Sequence, residues 1–402
     1  MLTGLFLLLS VFNVSFCSVN QKELSQMDSK YIIDLDGKQE SEILLSSYFQ
    51  NPKAIILETN KDCLIGHIFD LQVFDDFLYV LDTQIAKSLF VFDMNGRFVR
   101  KIGSLGQGPG EYSQLSDFTI DTEKKYIYLL DFNKRIHQYL FDGTFVRTIT
   151  PKLEKTNIVN IYCCNNRLFM SVLAYNRTPN DYMLMETDLD NGEILSQSLP
   201  LKYNKGWGES IYLRHSSFLS RSNVMPLYTR MFMDYIVSVG EDITPYIELR
   251  SKNLVTDKDV VNIVNAQGGA RAVLGRFRDY VSDHSKIYDV HSFVENNEFI
   301  LFRYQRGIRN YHAVILDKKT GLVKLANQFS NDLIYKNGEN HFFNGFLFSN
   351  TKGSFDILHI ESIARFQESI RNNEVVSRLD RLDELRTLEE EANPVIFYYE
   401  YK

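Results

Sequence analysis

Two consecutive segments of this 402-residue sequence repeat one another along their whole length. Residues 68–102 contain four short β-forming runs, IFDLQV, FLYVLD, LFVFD and GRFVRKI, which are separated by turn residues. Residues 115–149 contain LSDFTI, YIYLLD, IHQYLFD and GTFVRTI, with Asp117 lying 47 positions after Asp70. Four strands at a period near fifty residues are typical of a β-propeller blade. Because a lone four-stranded sheet leaves both faces unburied, such blades must stack around an axis.

Weaker copies of the same pattern continue along the chain. We assign a third blade to residues 158–195, a fourth to 210–250, a fifth to 287–325 and a sixth from 342 onward. Two further strand-like runs, 53–59 and 394–401, have no blade of their own. Pairing them in one blade or in neighbouring blades would close the ring and remove exposed edges. The sequence therefore predicts an all-β fold, a six-bladed β-propeller.

One late segment departs from the β pattern and predicts a helical insertion before the last strand. Residues 361–391 lack Gly and Pro and place Leu379, Leu382, Leu385 and Leu388 among charged residues, which is typical of an amphipathic helix or helix pair. These leucines either pack on the flank of the propeller or form a partner-binding or dimerising face. A second, short helix is expected within residues 260–281.

The N-terminus has the pattern of an export signal. Residues 1–17 hold an apolar run that is too short to span a bilayer, and we interpret them as a signal peptide. The ending Val-Ser-Phe-Cys resembles a bacterial lipobox, which would place a lipid on Cys17. We expect residues 18–50 to form a polar N-terminal segment and 51–402 to form the propeller. The predicted location is the periplasm or outer membrane, with contact to a membrane only through that lipid.

Composition excludes some classes of function. The net charge of −7 is unlike that of a nucleic-acid binder, which needs basic residues to neutralise phosphates. Cys63, Cys163 and Cys164 show no zinc or redox spacing, and we expect them to be buried apolar residues. The eight histidines include no metal-binding spacing, so we predict no metal and no cofactor.

One constellation follows from the repeat itself. The same place near the start of the innermost strand holds a polar residue in four copies, namely Asp70, Asp117, Asn160 and Asp289. If this strand lines the axis, the four side chains should gather near one mouth of the channel and attract a cation or sugar-like hydroxyls. The alternative is that each side chain caps its own turn by accepting backbone N–H bonds.

A second candidate is the only tryptophan of the chain. Trp207 lies between two glycines ahead of the fourth blade, with Arg214 nearby. On an exposed loop, its ring and the Arg214 guanidinium would form a ligand-binding platform. A packing role for Trp207 is the alternative.

The repeat and the joint Gly-Ser-Leu-Gly-Gln-Gly-Pro-Gly-Glu-Tyr at residues 103–112 resemble a known family. It comprises exported six-bladed β-propeller proteins of Bacteroidetes that are distant relatives of NHL-repeat propellers. Those proteins also end in a helix and an Asn-Pro-bearing last strand, as Asn393-Pro394 does here. The resemblance implies a fold and an export route but no reaction.

These observations favour a non-enzymatic binding or scaffold protein of the bacterial cell envelope. Its partner would be a glycan, a peptide or a protein on one propeller face, and a monomer is favoured. The alternative is a hydrolase or lyase whose residues converge on the central channel from several blades.

Overall fold

The computed structural model describes residues 23–153, 156–173, 181–207, 217–219, 226–265, 268–336, 343 and 345–402. In it, six β-sheets of four or five strands follow one another around a ring. The first three sheets are antiparallel and take their four strands in chain order, from the innermost outwards. Blade 1 consists of Asp70–Phe74, Phe77–Asp82, Ser88–Asp93 and Phe98–Ile102. Blade 2 consists of Leu115–Asp121, Tyr126–Asp131, Ile136–Leu140 and Phe145–Ile149. Blade 3 consists of Asn157–Cys164, Arg167–Leu173, Tyr182–Thr187 and Ile194–Pro200.

The other three sheets take their outermost strands from the N-terminal part of the chain. Blade 4 consists of Leu227–Tyr228, Tyr235–Val239, Ile243–Arg250 and Tyr31–Asp34. Blade 5 consists of Ile287–Glu295, Phe299–Arg306, Tyr311–Asp317, Val323–Ala326 and Gln39–Glu40. Blade 6 consists of Phe348–Ser349, Gly353–Leu358, Val395–Tyr401 and Phe49–Ile56. The described part of the chain thus confirms the predicted six-bladed β-propeller.

The N-terminal strands form a belt along the outer edge of three blades. Residues 31–34 and 39–40 pair in parallel with the outer strands of blades 4 and 5, and 43–44 pair with 329–330. Residues 49–56 then pair antiparallel with the last strand. The predicted closure of the ring by both terminal strands is confirmed, and both lie in blade 6. The boundary predicted at residue 51 is wrong, because residues 31–50 are already part of the propeller.

The hydrophobic core lies between the blades. Six clusters of buried side chains each join two consecutive blades, including one that joins blade 6 to blade 1. In blade 1, for example, Leu78 and Phe90 face blade 6, whereas Tyr79 and Leu89 face blade 2. Alternation along each strand explains this, because successive side chains point to opposite faces of a sheet. Both faces of each blade are therefore covered, and the ring is closed.

The described residues form four α-helices in addition to the β-sheets. They are α1 (Asp257–Asn265), α2 (Ala270–Asp283), α3 (Ile360–Arg371) and α4 (Leu382–Arg386). Helices α1 and α2 lie between blades 4 and 5, where a short helix was expected. Helices α3 and α4 form the predicted insertion before the last strand, which is a helix pair with a non-helical link.

The insertion packs on its own propeller. Ile363, Phe366 and Ile370 form the apolar stripe of α3 that faces the core shared by blades 5 and 6. Leu385 is 0% exposed and Leu379 is 3% exposed, and both belong to the same core. The leucines thus occupy the place expected for packing on the flank of the propeller.

The glycine-rich joint crosses from blade 1 to blade 2. Residues 104–105 pair in parallel with 111–112, and the Tyr139 hydroxyl donates to the Gly110 carbonyl at 2.8 Å. Gly103 has φ +68° and Gly110 has φ +75°, and a Cβ on Gly110 would lie 2.9 Å from the Phe145 side chain. Only glycine meets both requirements without strain.

Three short 3₁₀ segments complete the described structure. They are Leu24–Gln26, Leu45–Ser47 and Leu201–Asn204.

Candidate functional site

A cavity of about 760 Å³ occupies the centre of the ring. All six blades or the segments that precede them contribute polar or aromatic side chains to its walls. They include His67 and Asp70 from blade 1, Asp117 from blade 2, Asn160 from blade 3, Phe218 before blade 4, Arg303 and Tyr311 from blade 5, and Asp356 and His359 from blade 6. Since every blade takes part, the cavity lies on the ring axis. Its size falls within the range of small-molecule sites, which is about 300–1,000 Å³.

The repeated polar position does reach this cavity in three of the four predicted cases. Asp70, Asp117 and Asn160 line it, but their exposures are only 6%, 0% and 2%. The carboxylate Oδ2 of Asp117 accepts the N–H of Ile161 at 2.8 Å, and Asn160 Oδ1 accepts the N–H of Ser217 at 3.1 Å. Each bond runs from one blade to the next. Asp117 and Asn160 therefore connect blades, which differs from the capping of their own turns that we considered.

Asp289 occupies the same repeat position but does not line the cavity. Its Oδ1 accepts the N–H of Val290 at 2.9 Å, and its Oδ2 lies 3.8 Å from Nε2 of His291. Asp70 makes the same local bond, from Leu71 N to Asp70 Oδ1 at 2.9 Å. The structure thus gathers three of the four predicted side chains at the cavity. That any of them binds a ligand stays a prediction.

Arg303 is a cavity residue that the sequence reasoning missed. It lies on the second strand of blade 5, partly buried, with its guanidinium carbon 4.4 Å from the centre of the Tyr311 ring. Burial lowers the pKa of Arg303, while the Tyr311 hydroxyl and the Asp356 carboxyl nearby act to raise it. The available signal was an arginine in the middle of the otherwise apolar run FILF-R-Y, because such a residue is rarely placed inside a sheet without a role.

Asp356 is a second missed residue, on the second strand of blade 6. Its Oδ1 accepts the N–H of Ile357 at 2.7 Å, and the residue is 4% exposed. Burial raises the pKa of Asp356 well above its usual value, and the Ile357 bond and the Arg303 charge offset only part of that effect. The carboxyl is therefore far less acidic than a surface aspartate.

Two histidines meet at the cavity where blade 6 joins blade 1. The rings of His67 and His359 lie edge to face with centroids 4.9 Å apart. Burial lowers the pKa of His359, and the His67 ring lowers it further.

The segment that carries His67 is fixed by a buried carboxylate. Asp82 Oδ2 accepts the N–H groups of Gly66 and His67 at 2.8 and 3.1 Å. Its Oδ1 accepts those of Gln84 and Ile85, each at 2.9 Å. Burial acts to raise the pKa of Asp82, but the surrounding N–H donors outweigh it and lower the pKa. This arrangement holds the cavity wall next to His67 in one position.

A third histidine, His291, lies deeper in the wall of blade 5. Its Nε2 lies 3.1 Å from the amide oxygen of Gln305, and its ring packs edge-on against Tyr311. Burial lowers the pKa of His291 to about 4, and the Arg303 charge acts in the same direction. The ring is therefore neutral at physiological pH.

Trp207 lies in the core rather than on an exposed face. It is 0% exposed and packs between the rings of Phe232 and Phe277, with centroids 4.9 and 5.7 Å away. No face of the indole is open for stacking on a sugar, which corrects the expectation of a surface platform. The other two predicted residues, Arg214 and Cys17, lie outside the described residues.

Within the described ranges, no three His, Cys, Asp or Glu side chains are grouped closely enough to hold a metal ion. Cys63 and Cys163 are buried free thiols, as expected, and burial raises the pKa of each, whereas Cys164 is only half-buried. In the same ranges, no helix combines the length and the apolar character that a membrane span requires.

A second, open cleft of about 1850 Å³ lies between blade 1 and the late helices. Its lining includes Leu64, Ile85 and Glu389, which are exposed, and the charged pair Arg381 and Glu384, which bond to each other at 2.7 Å. The central cavity differs in that all six blades or the segments that precede them line it, five of them with polar side chains.

The chain matches one family model and is similar to two crystal structures. Residues 30–400 match the model of the family called "Domain of unknown function (DUF4934)". The chain is similar to the crystal structure of a "putative exported protein" from Bacteroides fragilis NCTC 9343, with a TM-score of 0.70, 19% identity, and coverage of 92% of this chain and 99% of that chain. It is also similar to a member of the DUF4221 family from Bacteroides vulgatus, with a TM-score of 0.50, 10% identity, and coverage of 88% and 97%.

No curated protein sequence matches the chain. At these identities the two crystal structures show the fold alone, since one fold hosts many functions. The kinship with NHL-repeat propellers stays a prediction.

Proposed function

This chain belongs to the DUF4934 family, whose model it matches over nearly all of its length, and we propose that it is an exported, non-enzymatic binding protein that holds a short glycan in its central cavity. The observation that supports this most is the convergence of polar side chains from five of the six blades on one cavity of ligand size. A closed ring with a core between every pair of blades supplies a rigid frame for such a site.

The accessible part of the cavity suits a hydroxyl-rich ligand. Its partly or fully exposed lining includes Arg309, Asn310, Asn327, Gln328 and Tyr311. Amide and guanidinium groups are planar and can make paired hydrogen bonds to neighbouring hydroxyls. An aromatic ring such as Tyr311 adds apolar contact with its hydroxyl as a polar handle. This combination favours a short glycan over a purely apolar ligand.

The cellular address is part of the proposal. The leader-like residues 1–17 support export, and so does the similarity to a Bacteroides protein that bears the name exported. We place the chain in the periplasm or at the outer membrane, with Cys17 as the point of lipid attachment. Metabolic labelling with a fatty-acid probe in cells tests that anchor, since a Cys17→Ser variant would then lose the label.

The binding proposal is tested by titration calorimetry with oligosaccharides of two to four units. We expect at least one of them to bind, and the double variant Arg309→Ala/Asn327→Ala to weaken it about tenfold or more, since two charged or paired hydrogen bonds are lost. Both residues are exposed, so the fold should be retained. Arg271→Ala on α2, an exposed arginine away from the cavity, is the matched control. Absence of binding across the panel would refute the proposal.

A second candidate, a hydrolase or lyase at the same cavity, is favoured by one observation. Asp356, His291 and His359 all have shifted pKa values, and such groups cluster at catalytic sites. Mass spectrometry of the ligand recovered after overnight incubation separates the two candidates. Intact ligand supports a binding protein, whereas shortened or unsaturated products support the enzyme.

A monomer is the oligomeric state that we propose. The leucines of the late insertion that could have formed a dimer face pack into the core of blades 5 and 6. Light scattering of the purified chain checks this, and a stable dimer would contradict it.

A further inference from the structure

The acidic and the basic side chains of the cavity differ in their exposure. Among the described lining residues, every carboxylate is buried, namely Asp70, Asp117 and Asp356 at 6%, 0% and 4%. Apart from the Tyr311 phenol, the ionisable lining side chains that are partly or fully exposed are basic, namely His67, Arg303, Arg309 and His359. This pattern runs against the net charge of −7 of the whole chain.

The buried carboxylates are already engaged by the backbone. Asp117 accepts the N–H of Ile161 at 2.8 Å, and Asp356 accepts that of Ile357 at 2.7 Å. The raised pKa of Asp356 also reduces the negative charge that this residue adds beside Arg303. A ligand that enters the cavity therefore meets arginine and imidazole groups before it meets an acid.

Arg303 is held in a fixed orientation. One face of its guanidinium lies over the Tyr311 ring at 4.4 Å, and Tyr311 is itself braced edge-on by His291. On another side, a Cβ added to Gly345 would lie 3.2 Å from Arg303 Nη1, so the chain passes close to the guanidinium there. A fixed arginine loses little conformational entropy on binding, and its planar fork matches the two oxygens of an oxyanion.

Arg309 brings a second guanidinium to the same wall. It lies on the hairpin between the second and third strands of blade 5, after Gly307, and both have positive φ, +57° and +74°. Arg309 is exposed, and the hairpin brings it to the same cavity as Arg303. Two arginines from one hairpin thus face the same space.

We infer that the ligand of this cavity carries an oxyanion, a carboxylate or a sulfate ester, that is bound by Arg303 and Arg309. This inference rests on the proposed function, so the ligand is an acidic glycan, one that contains a uronic acid or a sulfated sugar. His67 and His359 lie where blade 6 joins blade 1, and we expect them to contact other parts of the same ligand.

The experiment uses matched ligands that differ only in charge. Uronic-acid oligosaccharides, their methyl esters, sulfated oligosaccharides and neutral ones of equal length are titrated into the full mature chain by calorimetry. We expect an acidic member to bind at least about tenfold more tightly than its neutral match, with an affinity that falls as salt is added. The methyl esters separate a carboxylate requirement from a sugar requirement, and the sulfated set separates the two oxyanions.

Variants assign the effect to the arginines. Arg309→Gln should weaken binding of the acidic ligand much more than binding of its neutral match, because it deletes one positive group at an exposed site while glutamine can still form hydrogen bonds to hydroxyls. Arg303→Gln should do the same, and its thermal unfolding is measured alongside because it also loses the contact with Tyr311. Arg271→Gln, outside the cavity, is the control for net charge.

The outcomes distinguish this inference from the proposed function. If no oligosaccharide binds, the proposed function itself fails. If neutral and esterified ligands bind as tightly as acidic ones, or if Arg271→Gln reduces the preference as much as Arg309→Gln does, only the oxyanion inference is overturned.

Discussion

Blades 1 to 3 and blades 4 to 6 are completed in different ways. In the first half, residues 70–200 fold as three consecutive four-stranded sheets, each made from one stretch of chain. In the second half, the outermost strands come from residues 31–56, and Tyr31 pairs with Ile247 while Ile56 pairs with Val395. The first half is thus completed locally, and the second half depends on pairing between distant segments.

The two halves also divide the functional features. In the described part of the chain, the four α-helices lie in the second half, as do Arg303, Arg309 and His359, three of the four partly or fully exposed basic groups of the cavity. The regular blades supply Asp70, Asp117 and Asn160, which are buried; Asp117 and Asn160 bond to the next blade. The comparison indicates that blades 1 to 3 act mainly as the frame of the cavity, whereas blades 4 to 6 supply most of the basic groups that a ligand reaches.

The largest loss of stability in the second half is expected from removing the side chain of Asn393, which links the start of the last strand to residues 58–65. Asn393 is 0% exposed, and its Nδ2 donates to the carbonyls of Glu58 and Cys63 at 2.7 Å each, while its Oδ1 accepts the N–H of Ile65 at 2.8 Å. We expect Asn393→Ala to lower the free energy of unfolding by about 4 kcal/mol, because three backbone groups, two of them buried, lose their partner. Urea denaturation measures the change.

A matched asparagine of the local half serves as the control. Asn133 is exposed, and its side chain donates one bond, to Ser113 Oγ at 3.0 Å. Asn133→Ala should cost less than about 1 kcal/mol. Equal losses in the two variants would show that ring closure carries no special share of the stability.

A smaller loss of stability is expected from a substitution in the first strand of the N-terminal belt, residues 31–34. Ile33 is 0% exposed in the core between blades 4 and 5, whereas its neighbour Ile32 is 49% exposed. We predict that Ile33→Ala lowers the free energy of unfolding by about 3 kcal/mol, because it leaves a cavity in a packed core. Ile32→Ala should change it by less than about 0.5 kcal/mol. If both variants are neutral, residues 31–34 do not unfold together with the ring.

The same division explains what the sequence could predict of the fold. Blades 1 and 2 were recognisable because both copies keep four strands in chain order with turn residues between them. The role of residues 31–50 could not be recognised from the sequence. An edge strand pairs through backbone groups, and its side chains need not repeat those of other blades. Only the two terminal strands were expected to pair, because an open ring would leave their edges exposed.

The candidate site was predictable to the extent that it follows the repeat. Asp70, Asp117 and Asn160 reach the cavity because equivalent positions on inner strands face the same axis. Arg303 and Arg309 lie on a second strand and its hairpin, where blades 1 and 2 carry no counterpart. The burial of Trp207 depends on Phe277 of α2, a contact across about seventy residues that no local pattern shows.

The smallest of the three stability effects concerns pH and a buried histidine of the non-local half. The pKa of His291 is about 4 in the folded chain and 6.5 when exposed, so the unfolded chain binds a proton that the folded chain refuses between these values. Stability is therefore lost as the pH falls through this window, by about 2 kcal/mol between pH 7 and 5 for this group.

His291→Gln keeps an amide donor for Gln305 and should lose less stability over the same range. Ser292→Ala, which changes no titrating group, should retain the wild-type pH dependence. Denaturation midpoints at pH 7, 6 and 5 measure the slopes. An unchanged slope in His291→Gln would mean that His291 is solvated or paired with Asp289, 3.8 Å away, more effectively than its burial indicates.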